Sequence, residues 1–469
     1  MENIGFKTKP LSVFSLTMMN VIAVDSLRNL AVNAEYGAAL VFFYVVAGLF
    51  FYIPSILVGA ELATGWPHTG GAYIWIREAF GRRWGFLGMW LQWGYNVVWF
   101  PTILSFIVGT VFAVFEPLWL EQRYLMLTVV LIAYWAVTLL NCLGMRVSAK
   151  ISIVGAIVGT LLPMVIIIGL AVYWLVAGYP SQINFSCLAC VPGKESLNNL
   201  AFMVGLIFSL MGMEMSAVHA GDVEHPEKNY PKALWSSSLL IWLSMVLSSL
   251  AIALVVPHES LNLVSGLLDA FQLFFKAYHL TALLPWMALA MVVGCLASVS
   301  AWVIGPSRGL MMAASESRVL CRLQVLNRFS APYKMLVFQG LVFTILCSAF
   351  ILMPTINSSY WILSALTGQL ALIYYLLLFS AAIRLRYSAP KVKRAFQVPG
   401  GKLGMWIVVI LGMLACVVAI AIGFQPPKDL KITNVFFYES FLMIGLLVFI
   451  FAPFILLRKV PSNNDKSKQ

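Results

Sequence analysis

Apolar runs of about 20 residues, each long enough to cross a bilayer as one helix, recur along the whole chain and constrain its fold more than any other feature. Hydrophobic residues make up 61% of the 469 residues, and charged residues only 10%. The mean hydropathy is +0.91. Because a soluble domain could not bury so much apolar surface in one core, the sequence predicts an all-α, multi-pass membrane protein.

Twelve membrane-spanning segments are predicted along the chain. They lie at 11–32, 38–63, 84–114, 124–142, 149–178, 200–219, 234–256, 281–313, 335–353, 358–383, 405–423 and 434–457. The first segment follows a short tail with Lys7 and Lys9 and lacks a small-residue cleavage site. We therefore expect it to be retained and not removed as a signal peptide. Residues 1–469 are predicted to form a single polytopic membrane domain.

The basic residues predict the orientation in the membrane. With both termini in the cytoplasm, 24 of the 30 Lys and Arg fall in cytoplasmic tails and loops, in agreement with the positive-inside rule. The exceptions are Arg28, Arg123, Lys194, Lys276, Lys428 and Lys431. The net charge of +12 then reflects orientation in the cell (inner) membrane. No nucleic-acid partner is expected, because the basic residues are spread over separate loops.

Polar residues interrupt two of the predicted spans. The first span contains Asp25 and Arg28 within an apolar run, and the sixth contains Gly212 followed by Glu214. An ionisable side chain at bilayer depth usually faces a protein or water-filled interior and marks a functional site. The sequence therefore predicts that helices 1 and 6 are discontinuous.

The two interruptions lie five spans apart, which predicts an internal repeat. Because five is an odd number, the second unit enters the membrane in the opposite orientation, as in transporters with inverted repeats. We expect a first five-helix repeat at 11–178 and an inverted second repeat at 200–383. Two additional helices at 405–457 and a short cytoplasmic tail at 458–469 would complete the chain.

Breaks in two facing helices would provide a binding site near the bilayer midplane. Free N–H groups and the positive end of a helix dipole suit a carboxylate, so the expected substrate is a small molecule with an acidic group. An amino acid is the obvious candidate. The candidate substrate-binding residues at the breaks are Ala23, Val24, Asp25, Ser26, Ser209, Leu210, Met211 and Gly212.

Four motifs resemble those of known transporters. Residues 67–75 look like the P-x-x-G-G-x-Y-x-W signature of the amino acid/polyamine/organocation (APC) superfamily. Residues 212–231, 301–309 and 394–402 resemble the bacterial glutamate/GABA antiporter family, and the similarity runs from the first span to the last. The resemblance implies the LeuT-type fold with a 5+5 inverted repeat, and amino acid exchange or uptake by alternating access.

The resemblance also implies roles for two aromatic residues. Trp302 matches the family's span-8 tryptophan, which implies a gate or a stacking contact with the substrate, and Tyr375 matches one of two family tyrosines in span 10. Ser298 stands where the family has a glutamate, and residues 25–28 replace the aromatic residues of the acid-resistance members. These differences leave the identity of the amino acid open. The tail at 458–469 is too short for the plug of those antiporters.

Four residues are candidates for gating or coupling: Arg28, Glu214, Ser298 and Arg308. Arg308 could join an ion pair at the inner gate. Several of the candidate site residues also have a purely structural interpretation. Glu214 could pair with Arg28 or be capped by backbone N–H groups, and Asp25 could pair with Arg28 three residues later. Trp302 and Tyr375 could serve packing alone.

The predicted function is a secondary exchanger of glutamate/GABA-type or related amino acids. The alternatives are a proton- or sodium-coupled uptake symporter and, less favoured, a non-transporting amino acid sensor. A sodium site would need paired hydroxyls on span 8, but Ser298 and Ser300 are two residues apart and point to different helical faces. The expected partners are the amino acid, the lipid bilayer and, as a candidate coupling ion, the proton. The chain could act as a monomer or a homodimer.

No cofactor, metal or enzymatic activity is predicted. The sequence has no nucleophile elbow and no metal-ligand spacing, and residues 400–402 lack the spacing of a phosphate-binding loop. Cys187 and Cys190 lie in a predicted outer loop. The sequence does not decide whether they form a disulfide or stay as two unpaired thiols.

Overall fold

The computed structural model of the chain describes residues 12–67, 71–142, 155, 157–184, 191–193, 199–214, 226–314, 317, 320–329, 331–428, 430, 432 and 434–457. All regular secondary structure within these residues is helical. The expectations for Cys187, Cys190 and the tail at 458–469 lie outside the described residues.

The helices are labelled in chain order. Those before residue 180 are α1 (Val13–Val24), α2 (Arg28–Ala34), α3 (Gly37–Gly65), α4 (Ala72–Phe80), α5 (Arg82–Phe115), α6 (Arg123–Asn141) and α7 (Ile157–Val176). Those after it are α8 (Phe202–Phe208), α9 (Pro226–Val255), α10 (Gly266–Ala277), α11 (Leu284–Ala313), α12 (Tyr333–Leu352), α13 (Ile356–Ser388), α14 (Gly401–Gly423) and α15 (Val435–Leu456). Short 3₁₀ turns occupy Pro117–Glu121, His258–Ser260, Thr281–Leu283 and Leu320–Leu323.

Ten helices in the described part of the chain are long and apolar enough to cross a membrane, which confirms the multi-pass, all-α architecture. Each of them coincides with one of the predicted spans. The other two predicted spans, 11–32 and 200–219, are those that the sequence predicted to be interrupted. Because residues 215–225 lie outside the description, the total of twelve spans and the 5+5 repeat remain predictions.

Two long helices form the centre of the bundle. α5 and α13 are the most buried of the ten, whereas α14 and α15 expose most of their surface. The exposed side chains of these outer helices include Leu403 and Phe436, which suit contact with lipid chains. The innermost helices therefore carry the polar side chains, and the peripheral ones present apolar residues to the membrane.

The helices α7 and α11 cross with their backbones in contact. A Cβ atom added to Gly159 would lie 2.3 Å from the Cα atom of Gly294, and one added to Gly155 would lie 2.4 Å from the Cβ atom of Ala297. Small residues let membrane helices approach this closely. The first turn of α7, Ile157–Leu161, is π-helical at this crossing.

A buried ion-pair network, here called the Glu61 network, joins α3 to the last turn of α13 and to the segment that follows it. Glu61 Oε1 accepts a hydrogen bond from Arg386 Nη1 at 2.6 Å and lies 3.4 Å from Arg394 Nε. Glu61 Oε2 accepts from the N–H of Val398 at 2.8 Å. Because buried charges are tolerated only when they are paired, these contacts hold residues 389–398 against the end of α3.

A short amphipathic helix, α4, lies between the second and third predicted spans. α4 buries Trp75 and Ile76 and exposes Arg77 and Glu78. Gly71 precedes it with a φ of +47°. Glycine adopts positive φ values readily because it has no Cβ atom to clash with the backbone.

Candidate functional site

The first break lies between α1 and α2. Ala23 and Val24 are still helical, because the N–H of Asp25 bonds to the carbonyl of Val21 at 2.8 Å. Residues 25–27 then leave the helix. Aspartate and serine have a lower helix propensity than the apolar residues before them, which favours an interruption at Asp25 and Ser26. The unwound part is therefore shorter than the predicted binding segment.

The second break follows α8, which ends at Phe208. Residues 209–212 do not continue the helix, and Gly212 has a φ of +112° that an L side chain rarely adopts. A Cβ atom added to Gly212 would lie 3.4 Å from Val24 Cγ2. The two breaks, five spans apart in the sequence, therefore meet in the structure.

The two breaks line one cavity of about 50 Å³. The predicted site residues on its wall are Val24, Asp25, Ser26, Met211, Gly212, Ser298 and Trp302. Sites for drug-sized ligands measure roughly 300–1,000 Å³, so this cavity accommodates water but is too small for an amino acid in the conformation seen here.

The other predicted residues lie off the cavity wall. Ser209 Oγ donates to the carbonyl of Leu206 at 2.6 Å, and Leu210 is fully buried. Tyr375 reaches the wall only through its hydroxyl group. Arg308 lies on α11 beyond Trp302, away from the cavity. The side chain of Ala23 is outside the described part of the chain.

Five further residues line the cavity that the sequence reasoning missed: Asn29, Tyr95, Asn96, Trp99 and Phe208. Three of them lie on α5, the buried central helix. A signal for them exists in the sequence. Gln92, Tyr95, Asn96 and Trp99 follow a spacing of three or four residues and share one helical face, where polar groups interrupt an otherwise apolar span.

Arg28 is buried among neutral partners. Its Nη1 atom donates to Thr102 Oγ1 and to Ser364 Oγ, each at 3.0 Å, and its Nη2 atom donates to Asn29. Its Nε atom has no hydrogen-bond partner among the described residues. The guanidinium group lies 5.7 Å from the centre of the Phe208 ring. Arg28 therefore faces α5 and α13.

The two ion pairs considered for Arg28 are not formed in the described structure. Asp25 points the other way, toward α9, where Ser244 Oγ donates to both carboxylate oxygens at 3.1 Å. Glu214 bonds to Tyr375 and not to Arg28. The break between α1 and α2 explains the first result, because it removes the regular helix that would place Asp25 and Arg28 on one face.

The hydroxyl of Tyr375 links Glu214 to the cavity. It donates to Glu214 Oε2 and accepts a hydrogen bond from the N–H of Gly212 at 3.0 Å. Glu214 Oε1 is buried and has no hydrogen-bond partner within the described residues. A chain of two hydrogen bonds thus runs from a buried carboxyl group to a backbone N–H on the cavity wall.

The hydroxyl groups of span 8 face different neighbours. Ser298 lines the cavity, whereas Ser300 Oγ donates to Asn141 Oδ1 on α6 at 3.0 Å. Among the described residues, no group of three or more His, Cys, Asp or Glu side chains could hold a metal ion. The site is thus built from backbone groups, aromatic rings and a few polar side chains.

Comparisons with known proteins agree on one family. The family model described as amino acid permease matches residues 11–449. The chain is 46% identical over 455 residues to an uncharacterized transporter of Legionella pneumophila, covering 96% of this chain and 97% of that protein. It is 31% identical to a glutamate/gamma-aminobutyrate antiporter of Lactococcus lactis, covering 94% and 88% of the two chains. It is 24% identical to a probable agmatine/putrescine antiporter of the same species, covering 87% and 86%.

Proposed function

This chain belongs to the amino acid permease family, within the APC superfamily, and from that premise we propose that it exchanges amino acids across the cell (inner) membrane by alternating access. Membership of the family supports amino acid transport as the general activity. Exchange is the finer proposal, because two of the matched relatives are named antiporters. The proposed substrates are amino acids of the glutamate/GABA type or related ones.

The observation that carries this proposal is the small cavity between the two helix breaks. Its volume of about 50 Å³ leaves no room for an amino acid. Substrate can therefore enter only if the helices that form the wall move apart on one side of the membrane. A site that opens toward one side at a time is what alternating access requires.

The helix breaks supply complementary groups for an amino acid. The last carbonyls of α1 lack partners within the helix, so they suit an ammonium group. The N–H groups near Gly212 suit a carboxylate. Trp302 and Trp99 lie on the wall with ring centres 6.4 Å apart, where they would close over the side chain of the substrate.

Tyr375 gives the site a proposed switch. In this conformation its oxygen already accepts the hydrogen bond of the Gly212 N–H. A substrate carboxylate that binds this N–H would have to displace Tyr375, whose hydroxyl also bonds to Glu214. The protonation state of Glu214 would then bias substrate binding, which makes the proton the favoured coupling ion.

The test is transport by the purified protein in proteoliposomes. A panel of labelled amino acids should show uptake that accelerates several-fold when an unlabelled panel member is trapped inside. No transport of any panel member would overturn the proposal. Replacing sodium by potassium throughout should leave the rates unchanged, and a requirement for sodium would favour the symporter instead.

A further inference from the structure

A further cavity lies on the outer surface of the bundle, between α3 and α9. It measures about 250 Å³ and is here called the α3–α9 groove. Its walls are formed by α3 from Val45 to Ile56 and by α9 from Trp235 to Trp242. Leu49 and Leu239 line it with side chains that are 54% and 62% exposed. Because both helices are long and apolar enough to cross a membrane, the mouth of the groove faces lipid.

The polar side chains on the walls bond to the protein itself. Tyr52 donates to the carbonyl of Ser238 at 3.4 Å, and the Ser238 hydroxyl donates to the carbonyl of Leu234. Trp242 Nε1 donates to the carbonyl of Tyr44 at 3.2 Å. A polar solute would leave water without gaining these groups as partners, which is costly. A hydrocarbon chain needs no such partners, so the groove suits an acyl chain.

Two lysines extend one wall of the groove beyond its apolar part. Lys228 and Lys232 precede Trp235, Leu239 and Trp242 at alternating spacings of four and three residues, which places all five on one face of α9. The two lysines are the only charged residues in this stretch of the helix. Both are exposed, and neither forms an ion pair with a residue that the structure describes. The face is therefore basic at one end and apolar along the rest.

The dimensions of this face match one leaflet of a bilayer. The predicted span begins one residue before Trp235, so Lys228 and Lys232 lie at the level of the lipid head groups. From Trp235 to Trp242 the helix rises roughly 10 Å, which fits within the roughly 15 Å of hydrocarbon in one leaflet. The N-terminus of α9 adds the positive end of its dipole at the level of the lysines.

The opposite face of α9 holds the helix in the bundle. Asn20 Nδ2 donates to Ser237 Oγ at 3.0 Å, and Ser244 Oγ donates to the Asp25 carboxylate at 3.1 Å. These contacts join α9 to α1 without using the face that lines the groove. Substitutions on the groove face can therefore be tested while the contacts between α9 and α1 are kept.

We infer that the α3–α9 groove binds an anionic phospholipid, with one acyl chain in the groove and the phosphate held by Lys228 and Lys232. The predicted orientation puts this end of α9 on the cytoplasmic side, where the leaflet carries anionic lipids that attract basic residues. A zwitterionic lipid would fill the groove equally well, but its own cationic group would compete with the lysines for the phosphate. The site is separate from the cavity at the helix breaks, and binding there does not require transport.

The experiment is lipid binding to the detergent-purified full chain, measured by native mass spectrometry. The probes are dioleoyl phosphatidylglycerol and dioleoyl phosphatidylcholine, which share their acyl chains and differ in the charge of the head group. We expect one phosphatidylglycerol to bind at least roughly tenfold more tightly than phosphatidylcholine, because each lysine near the membrane surface favours an anionic lipid. Equal affinities for the two lipids would overturn the inference.

A pair of lysine variants tests the head-group contact. Lys228→Gln combined with Lys232→Gln should remove the preference for phosphatidylglycerol. Lys391→Gln combined with Lys393→Gln is the matched control, since these lysines are also exposed and are predicted to lie on the same side of the membrane. The control should keep the wild-type preference. A similar loss in both double variants, or no loss in the first, would show that Lys228 and Lys232 form no specific site.

A second pair of variants tests the groove itself. Leu239→Trp fills the groove but keeps both lysines, and it should weaken phosphatidylglycerol at least roughly tenfold. Leu240→Trp changes the next residue, an exposed leucine that does not line the groove, and should bind the lipid as wild type does. Unchanged lipid affinity in Leu239→Trp would overturn the inference. If that variant instead separates a dimer of the chain, a second copy and not a lipid occupies the groove.

Discussion

The single proton of the Tyr375 hydroxyl is committed to Glu214, and one of its lone pairs is committed to the Gly212 N–H. A change in the hydrogen bond to Glu214 therefore affects the hydrogen bond to Gly212, and the reverse also holds. If Glu214 takes up a proton, it no longer needs Tyr375 as a donor, and the hydroxyl can turn. The N–H of Gly212 then becomes available to a ligand.

This coupling predicts the effect of Glu214→Gln. Glutamine keeps the size and one acceptor oxygen of Glu214 but does not titrate. We expect the pH dependence of exchange between about pH 5 and 8 to flatten, measured as counterflow in proteoliposomes at a series of pH values. Glu78→Gln, at an exposed position on α4, is the control and should keep the wild-type profile. An unchanged profile for Glu214→Gln would leave that residue with a structural role only.

Two adjacent tyrosines offer a matched pair of variants. Tyr375→Phe leaves both the Glu214 carboxyl and the Gly212 N–H without their partner, at a cost of about 1–3 kcal/mol for a buried polar group. The hydroxyl of Tyr374 is buried and has no hydrogen-bond partner among the described residues. We expect Tyr375→Phe to change exchange rates roughly tenfold and Tyr374→Phe to leave them near wild type, as measured by counterflow. Equal effects would refute a specific role for Tyr375.

Asp269 lies on the short helix α10, outside the spanning segments. We expect it to make the stability of the folded protein depend on pH. Burial raises its pKa from 3.8 to about 6, although Ser265 donates a hydrogen bond to it. The folded chain thus holds this proton to higher pH than the unfolded chain. Its contribution to stability is greatest below pH 3.8 and declines as the pH rises to about 6.

Asp269→Asn should remove that decline. Asparagine can still accept the Ser265 hydrogen bond, so the variant should melt above wild type at pH 7 and close to it at pH 4. Thermal unfolding in detergent at both pH values measures the difference. A melting temperature that falls equally in both proteins between pH 4 and 7 would show that other groups cause the change.

At the scale of elements, the crossing of α7 and α11 depends on glycine. A Cβ atom on Gly159 would overlap the backbone of Gly294, which no rotation of a side chain can relieve. We expect Gly159→Ala to cost about 1–3 kcal/mol and to lower the melting temperature of the purified protein. Gly169, on the same helix, has no atom within 4 Å of an added Cβ. Gly169→Ala should be neutral or slightly stabilising, and a similar loss in both variants would argue against the crossing as the cause.

The elements that could be predicted from the sequence are those that depend on neighbouring residues in the chain. Apolar runs predicted the positions of the ten long helices, because the bilayer itself imposes their length. The breaks near Asp25 and Gly212 were also predictable, since charged residues interrupt the first run and a glycine followed by a glutamate interrupts the sixth. Their exact ends were not, because α1 continues through Val24 by one more backbone hydrogen bond.

At the scale of the whole molecule, the parts that the sequence did not predict depend on contacts between distant helices. The position of α5 at the centre of the bundle makes Tyr95, Asn96 and Trp99 part of the cavity. The sequence of α5 alone does not determine which helices surround it. The partners of Arg28 were missed for the same reason, since Thr102 and Ser364 lie 74 and 336 residues away. Aggregate hydrophobicity predicts that a helix is in the membrane, but packing decides which of its faces meets the solute.

The Glu61 network has a consequence for biosynthesis. Glu61 and Arg386 are separated by 325 residues, so the acid leaves the ribosome long before its partner. At about 5–20 residues per second, the interval is roughly 15 to 65 s. During that time α3 carries a carboxylate that its final neighbours cannot yet neutralise. A nascent chain that stalls before the tenth predicted span therefore carries an unpaired acid near one end of α3, which only the completed chain neutralises.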